Sequence, residues 1–322
     1  MADAALKWGL LSTALINEAI IAGAAETAAA EIVAVASRDA SRAEEYARAH
    51  GIPRPHGSYE ALLDDEGVDA VYVPLPNSLH AEWTLRALEA GKHVLVEKPF
   101  SRHPRDVEAA FDRAEQRALV LSEGFMWRHH PQTRRLVELV DEGAIGRLRV
   151  VRAAFGFPLA SERGSGDTRF DPALEGGALM DVGTYCVNAL RLFGGEPERA
   201  RGEQVIGASG VDVVFTGALA FADDVVGHFD CGFVLPRRAG LELVGEEGSI
   251  VVADPFSIRS AGLELRRADG EPERTDFEPA NSYRLELENF AAAVRGEDEP
   301  LLGRADAVGQ ARTLDALYVS AA

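Results

Sequence analysis

A lysine closes a short apolar run in Gly91-Lys92-His93-Val94-Leu95-Val96-Glu97-Lys98-Pro99. Such a run reads as a buried strand, and open α/β sheets bind ligands just beyond the carboxyl ends of their strands. Pro99 fixes its own φ and disfavours helical backbone at Lys98. A lysine preset there can bond both a ribose hydroxyl and a substrate oxygen. Taken alone it is also what an ordinary surface residue at a strand end looks like. A second constellation lies in Gly176-Gly177-Ala178-Leu179-Met180-Asp181-Val182-Gly183-Thr184-Tyr185. Asp181 and Tyr185 are four residues apart, so they share one face of a helix.

A third group lies after the first apolar run. A G-x-G-x-x-G phosphate loop would fall on Ser12-Thr13-Ala14-Leu15-Ile16-Asn17, and none of its glycines is in place. Ser12 and Ala14 are small and Asn17 is short, so close approach of a pyrophosphate remains feasible, and a helix N-terminus offers it unpaired N–H groups. The alternative is a plain strand-to-helix turn. The next strand ends in Ser37-Arg38, where an acid would hold the ribose 2′-hydroxyl of NAD. A hydroxyl and a guanidinium there suit the 2′-phosphate of NADP, with NAD as the alternative, and Arg42 adds charge.

These residues need a scaffold. Apolar runs at Leu6–Leu11, Glu31–Ala36, Ala70–Val73, His93–Val96 and Ala118–Ser122 alternate with helical stretches. The helices are expected at Leu15–Ala24, Ser41–Ala49 (Ser41 as N-cap, Glu44 closing a capping box), Ser78–Ala90 and Pro104–Gln116. This pattern predicts a doubly wound α/β domain with a parallel sheet over residues 1–125. From residue 126 to 322 the pattern changes. A helix at Pro131–Glu142, a strand at Arg147–Phe157 and a helix at Gly176–Phe193 precede strand-like runs from Ala200 to Ile258. Helices at Tyr283–Arg295 and Arg304–Ser320 close the chain. This half is expected to be an α+β domain on a mostly antiparallel sheet with one open face, binding substrate and pairing two copies into a homodimer. The aperiodic loop Pro158–Pro172 is long enough to suggest a functional role.

Composition narrows the partners. A formal charge of -19 repels nucleic acid and anionic membranes, so neither is expected. The alanine-rich stretch Ala19–Ala36 is interrupted by Glu26 and Glu31 and is not read as a membrane span, and no signal peptide is read at the N-terminus. Two cysteines, Cys186 and Cys231, make no disulfide framework, which fits a reducing cytoplasm. His129-His130 lacks accompanying carboxylates, so no metal is expected. Arg128, where the two domains join, is a candidate contact for cofactor or substrate, and equally a candidate for a salt bridge between the domains. Phe155, Phe157, Arg169 and Tyr283 are candidates for the substrate pocket.

The Val73-Pro74-Leu75-Pro76-Asn77-Ser78-Leu79-His80 turn and Glu97-Lys98-Pro99 resemble the Gfo/Idh/MocA oxidoreductases, and the resemblance runs along the whole chain. Many relatives carry a histidine where Tyr185 stands. The tyrosine, the Ser12 and Ala36-Ser37-Arg38-Asp39 segments, and Arg128 with Pro131 are similar to the dimeric dihydrodiol dehydrogenase and D-xylose dehydrogenase subgroup. The resemblance implies NADP contacts from Ser12, Thr13, Ala14, Leu15, Ile16, Ser37, Arg38, Leu75, Pro76, Asn77, His80, Glu97, Lys98 and Arg128. It also implies a homodimer and hydride transfer to or from a sugar, polyol or cyclic diol. Tyr185 would accept the hydroxyl proton. A phenol near pKa 10 needs a neighbouring cation to act at neutral pH, and Lys98 would supply it. Asp181 would orient the hydroxyl or keep Lys98 charged. Two rival readings are a non-catalytic NADP-sensing regulator, as some members are, and a reductase of a dicarbonyl sugar.

Overall fold

The computed structural model describes residues 5–164, 166–267 and 270–322. Its strands are β1 Leu6–Leu10, β2 Ala30–Ala36, β3 Arg54–His56, β4 Ala70–Val73, β5 His93–Glu97, β6 Leu121–Gly124, β7 Leu148–Gly156, β8 Arg199–Ile206, β9 Asp212–Ala220, β10 Val226–Gly232, β11 Arg238–Gly245, β12 Gly248–Val252, β13 Gly262–Arg267 and β14 Glu273–Asp276. Its helices are α1 Asn17–Ala25, α2 Ala40–His50, α3 Tyr59–Leu63, α4 His80–Glu89, α5 Pro104–Arg117, α6 Pro131–Asp141, α7 Leu159–Arg163, α8 Thr184–Gly194, α9 Ser282–Val294 and α10 Arg304–Ala321. The chain forms two compact units, one running to Met126 plus Asn281–Val308, the other Trp127–Ala280 plus Gly309–Ala322.

In the first unit six parallel strands take the order β3-β2-β1-β4-β5-β6. β4 is buried along its whole length, as a central strand covered on both faces must be. The doubly wound sheet is therefore as expected, but its composition is not. Asn281–Val308, assigned from sequence to the second domain, belongs to this unit. The reason is α9, which lays Leu287, Phe290 and Ala291 into the core around Trp8, with the Trp8 and Phe290 rings 4.9 Å apart. Gly23 of α1 permits the approach, because a Cβ there would lie 2.8 Å from the Arg284 backbone nitrogen.

Local chemistry moved several boundaries. Asp39, not Ser41, caps α2: its extended backbone lets the carboxylate accept the Ser41 N–H at 2.9 Å and the Arg42 N–H at 3.4 Å. β6 begins at Leu121 rather than 118, because Ala118 turns left-handed (φ 54°) to end α5. The small β3 and α3 were not foreseen. Within 158–172 the chain forms α7 and a 3-10 turn at Thr168–Phe170, with a second turn at Pro172–Leu174, instead of an irregular loop.

In the second unit eight strands take the order β14-β13-β12-β11-β7-β10-β9-β8, antiparallel except for the β7/β10 pair. Side chains of β9 and β10 alternate between buried and exposed, so one face is open while α8 packs against β7 and β10 on the other. Phe290→Ala should lower stability by about 3–5 kcal/mol, the cost of an unfilled aromatic site. Urea unfolding followed by tryptophan fluorescence checks this, and a change below about 1 kcal/mol would mean α9 is not part of the first core.

Candidate active site

The Glu97–Phe100 turn at the end of β5 is held by a hydrogen bond at each of three successive residues. Glu97 Oε2 accepts the Lys98 N–H at 3.2 Å, and Glu123 Oε1 accepts the Phe100 N–H at 2.8 Å. Between them the Pro99 carbonyl lies 2.9 Å from His80 Nδ1. The Lys98–Pro99 peptide is cis. Glu97 Oε1 accepts the hydroxyl of Tyr72, a fully buried side chain of β4. Behind this pair sits Glu286 of α9, buried, with its carboxyl pushed well up by burial and then by the charge of Glu97. The face of α9 that carries Phe290 also carries Glu286 four residues earlier, a polar residue on an apolar stripe that sequence could have flagged.

His80 is 1% exposed, and its other nitrogen, Nε2, lies 2.7 Å from the Leu75 carbonyl. Both ring nitrogens therefore face backbone oxygens, and the side chain bridges the Leu75 and Pro99 turns. Leu75 is buried, Pro76 follows it, and Asn77 opens the 3-10 turn Asn77–Leu79.

The loop from Ser12 to Ile16 suits a phosphate despite its missing glycines. Ser12 keeps a positive φ of 154°, and its Oγ accepts the Ala14 N–H at 3.2 Å. α1 opens at Ile16 without a side-chain cap. Thr13 and Leu15 are partly or well exposed. Asn17 does not face the loop's ligand side: it is fully buried and its Nδ2 donates to the Ser12 carbonyl at 2.8 Å, buttressing the turn from below. At the end of β2, the Ser37 Oγ accepts the Asp39 N–H at 3.3 Å, and Arg38 is exposed beside the Tyr59 hydroxyl, which it hydrogen-bonds, with Arg42 close by. This edge thus offers two cations.

In the second unit Asp181 lies on a π-helical turn, Leu179–Gly183, that leads into α8, and Tyr185 lies on the first turn of α8. The buried carboxylate of Asp212 caps this segment, accepting the Leu179 N–H at 2.7 Å and the Tyr318 hydroxyl at 2.9 Å. Burial raises its pKa to about 6 against those hydrogen bonds. Gly177 (φ 130°) is required there, since a Cβ would come 2.1 Å from Asp212 Oδ1. Tyr185 packs against Phe155 at 5.7 Å and Phe256 at 5.6 Å, and Trp127 meets Phe256 at 5.4 Å. Asp212 and Phe256 were missed from sequence. Asp212 interrupts an apolar run, a weak signal.

Arg169 donates to Asp181 at 3.0 Å, and its guanidinium lies 5.8 Å from the centre of the buried Phe157 ring. Arg128 reaches Asn188 at 3.4 Å within the same unit. Tyr283, expected in the substrate pocket, stands at the start of α9, partly buried against the first unit's core. His130 caps α6 through Nδ1, accepting the Gln132 N–H at 3.0 Å, and among the described residues no three His, Cys, Asp or Glu side chains gather as metal ligands. No described helix is long and apolar enough to cross a membrane.

Residues 9–125 match the oxidoreductase family with an NAD-binding Rossmann fold, and residues 133–251 match the GFO/IDH/MocA C-terminal domain. A D-xylose 1-dehydrogenase (NADP(+)) of Haloferax volcanii is 39% identical over 98% of this chain and 97% of its own. The chain belongs to the Gfo/Idh/MocA oxidoreductases. Within this family, human trans-1,2-dihydrobenzene-1,2-diol dehydrogenase is 35% identical, over 78% of this chain and 75% of its own. A 3-ketoreductase from Actinomadura kijaniata, solved with NADP and TDP-benzene, superimposes with a TM-score of 0.91 at 32% identity and covers 98% of both chains. That enzyme has also been solved with a tyrosine replaced by phenylalanine and with a lysine replaced by alanine.

The His80 bridge has a pH signature. Burial lowers the His80 pKa from 6.5 to about 4, against the raising effect of both carbonyls, and the neutral ring can donate to only one of them. Between those values the unfolded chain binds a proton that the folded chain does not. Stability is therefore full above the ordinary histidine value and falls as pH drops through this window, by up to roughly 3 kcal/mol. His129, lowered to about 3 by burial, adds to the same slope. His80→Asn should lower the urea midpoint at neutral pH and give a shallower fall on acidification. An undiminished slope would show that His80 is not the group being protonated.

Proposed function

We propose that this protein is an NADP-dependent oxidoreductase moving a hydride between nicotinamide C4 and a carbinol or hemiacetal carbon of a sugar, polyol or cyclic trans-diol. The observation that carries this reading is the Glu97–Phe100 turn, whose backbone is bonded at Lys98, Pro99 and Phe100 at the carboxyl edge of the parallel sheet. Structure of that kind around one lysine serves function better than it serves a surface residue.

The residues of the first unit fit the cofactor. The uncapped start of α1 behind Ser12–Ile16 suits a pyrophosphate, and Arg38 with Arg42 suits a 2′-phosphate. When bound, NADP supplies the hydride acceptor. The chain's own residues handle the proton. Tyr185 takes it from the substrate hydroxyl, the Lys98 ammonium favours the phenolate, and Asp181 orients the hydroxyl. Leu75, Pro76 and Asn77 border the nicotinamide ribose, with Arg128 as a further contact, and Phe157 and Arg169 border the substrate. The open face of the eight-stranded sheet supports pairing of two copies. Free, buried Cys186 and Cys231 suit a reducing cytoplasm.

Absorbance at the reduced nicotinamide band, with purified protein, NADP and a panel of aldoses, polyols and trans-diols, should reveal turnover that prefers NADP to NAD. Arg38→Ala should erase the cofactor preference, and Tyr185→Phe should lower kcat by roughly 10²–10⁴-fold. NADP binding without turnover of any panel member would favour the non-catalytic regulator.

A further inference from the structure

Arg169 is tied to the Asp181 segment by both side chain and backbone. Its guanidinium grips Asp167 as a fork, Nε to Oδ1 and Nη2 to Oδ2, both at 2.9 Å. Its Nη1 donates to Asp181 Oδ2 at 3.0 Å. Its carbonyl accepts the Gly177 N–H at 3.0 Å, at the entry to the helix that carries Asp181 and Tyr185. Gly176 is needed for this approach, because a Cβ there would lie 2.3 Å from the Arg169 carbonyl oxygen. Asp167 is itself fixed, since its Oδ1 also accepts the Arg169 N–H at 3.0 Å. Bidentate geometry makes such a pair stronger and more directional than a single contact. The three side chains are 29%, 17% and 17% exposed, so the pair is less screened than a surface ion pair. Arg169 keeps the Asp167 carboxyl below its usual range. Three of the five guanidinium N–H groups are thus committed to carboxylates, which leaves Arg169 poorly suited to recruit an anionic substrate group.

We propose that Arg169, clamped by Asp167, is the positioning residue that aims the Asp181 carboxylate at a substrate hydroxyl. This rests on the proposed oxidoreductase reading, in which Asp181 meets the hydroxyl. Arg169 acts through Asp181 and does not touch the reacting atoms.

A double-mutant cycle over Arg169→Gln and Asp181→Asn tests it, read on kcat/KM and on the Kd of D-xylose, xylitol and trans-cyclohexanediol for the NADP-loaded protein. Arg169→Gln should weaken both by roughly 10–100-fold, the loss of a hydrogen bond to a charged group. That loss should vanish in the Asp181→Asn background, because the two residues act as one unit. Arg169→Lys should recover part of it, and the Kd of NADP should stay unchanged in all variants. Asp167→Asn, which keeps the guanidinium, should show a smaller loss with the same dependence on Asp181, and it serves if Arg169→Gln does not fold. Independent, multiplying effects of the two substitutions would overturn the proposal. So would an equal loss of NADP affinity, or no binding of any probe to the wild type. Wild-type binding without turnover would instead remove the oxidoreductase reading, while the binding cycle still decides the role of Arg169.

Discussion

Everything proposed for Lys98 depends on the backbone of one turn being held still. A lysine side chain has four rotatable carbons and no fixed direction, so its usefulness comes from where its Cα is anchored. Here the anchoring is polar and buried. A carboxylate takes the Lys98 N–H, an imidazole faces the Pro99 carbonyl, and a second carboxylate takes the Phe100 N–H. Hydrogen bonds to charged acceptors are among the stronger ones available, and leaving such a group unpaired in the interior costs more than the bond gains. The anchoring groups come from β5, β6 and the start of α4, so the sheet fixes them.

The second unit solves a similar problem with a helix. Asp181 stands on the π-helical turn that leads into α8 and Tyr185 on the first turn of α8, and at the start of such a segment backbone N–H groups lack partners within the helix. Asp212 supplies one from the first strand residue of β9, and the two glycines before the helix make room for Asp212 and for the Arg169 carbonyl. Aromatic rings of Phe155 and Phe256 then pack the phenol of Tyr185 on two sides. Polar groups set the position of the helix start, and aromatic rings pack its tyrosine.

The legible parts of this arrangement were those written in local sequence. Apolar runs located the strands of the first sheet, and the spacing of Asp181 and Tyr185 placed both on one helical segment. The illegible parts were contacts between distant residues. Leu179 and Asp212 are 33 positions apart, and no propensity links them. Nothing local shows the partners of His80; only the fold shows two carbonyls closing on its ring. Asn281–Val308 was given to the other unit because helical periodicity says which face of α9 is apolar but not which core receives it, whereas Gly309–Ala322 lies in the second unit as expected. Asp39 displaced Ser41 as a cap because either residue type can cap, and backbone dihedrals made the choice.

In the proposed reaction Lys98 supports removal of a proton while hydride leaves the same carbinol. A single turnover with the sugar, polyol or diol of the panel that is turned over, deuterated at its reacting carbon, tests it directly, followed by mass analysis of the nicotinamide. Deuterium should appear on the reduced nicotinamide in the wild type. In Lys98→Met the transfer should be abolished while NADP still binds. Transfer at the wild-type rate in Lys98→Met would show that Lys98 has no part in the proton removal.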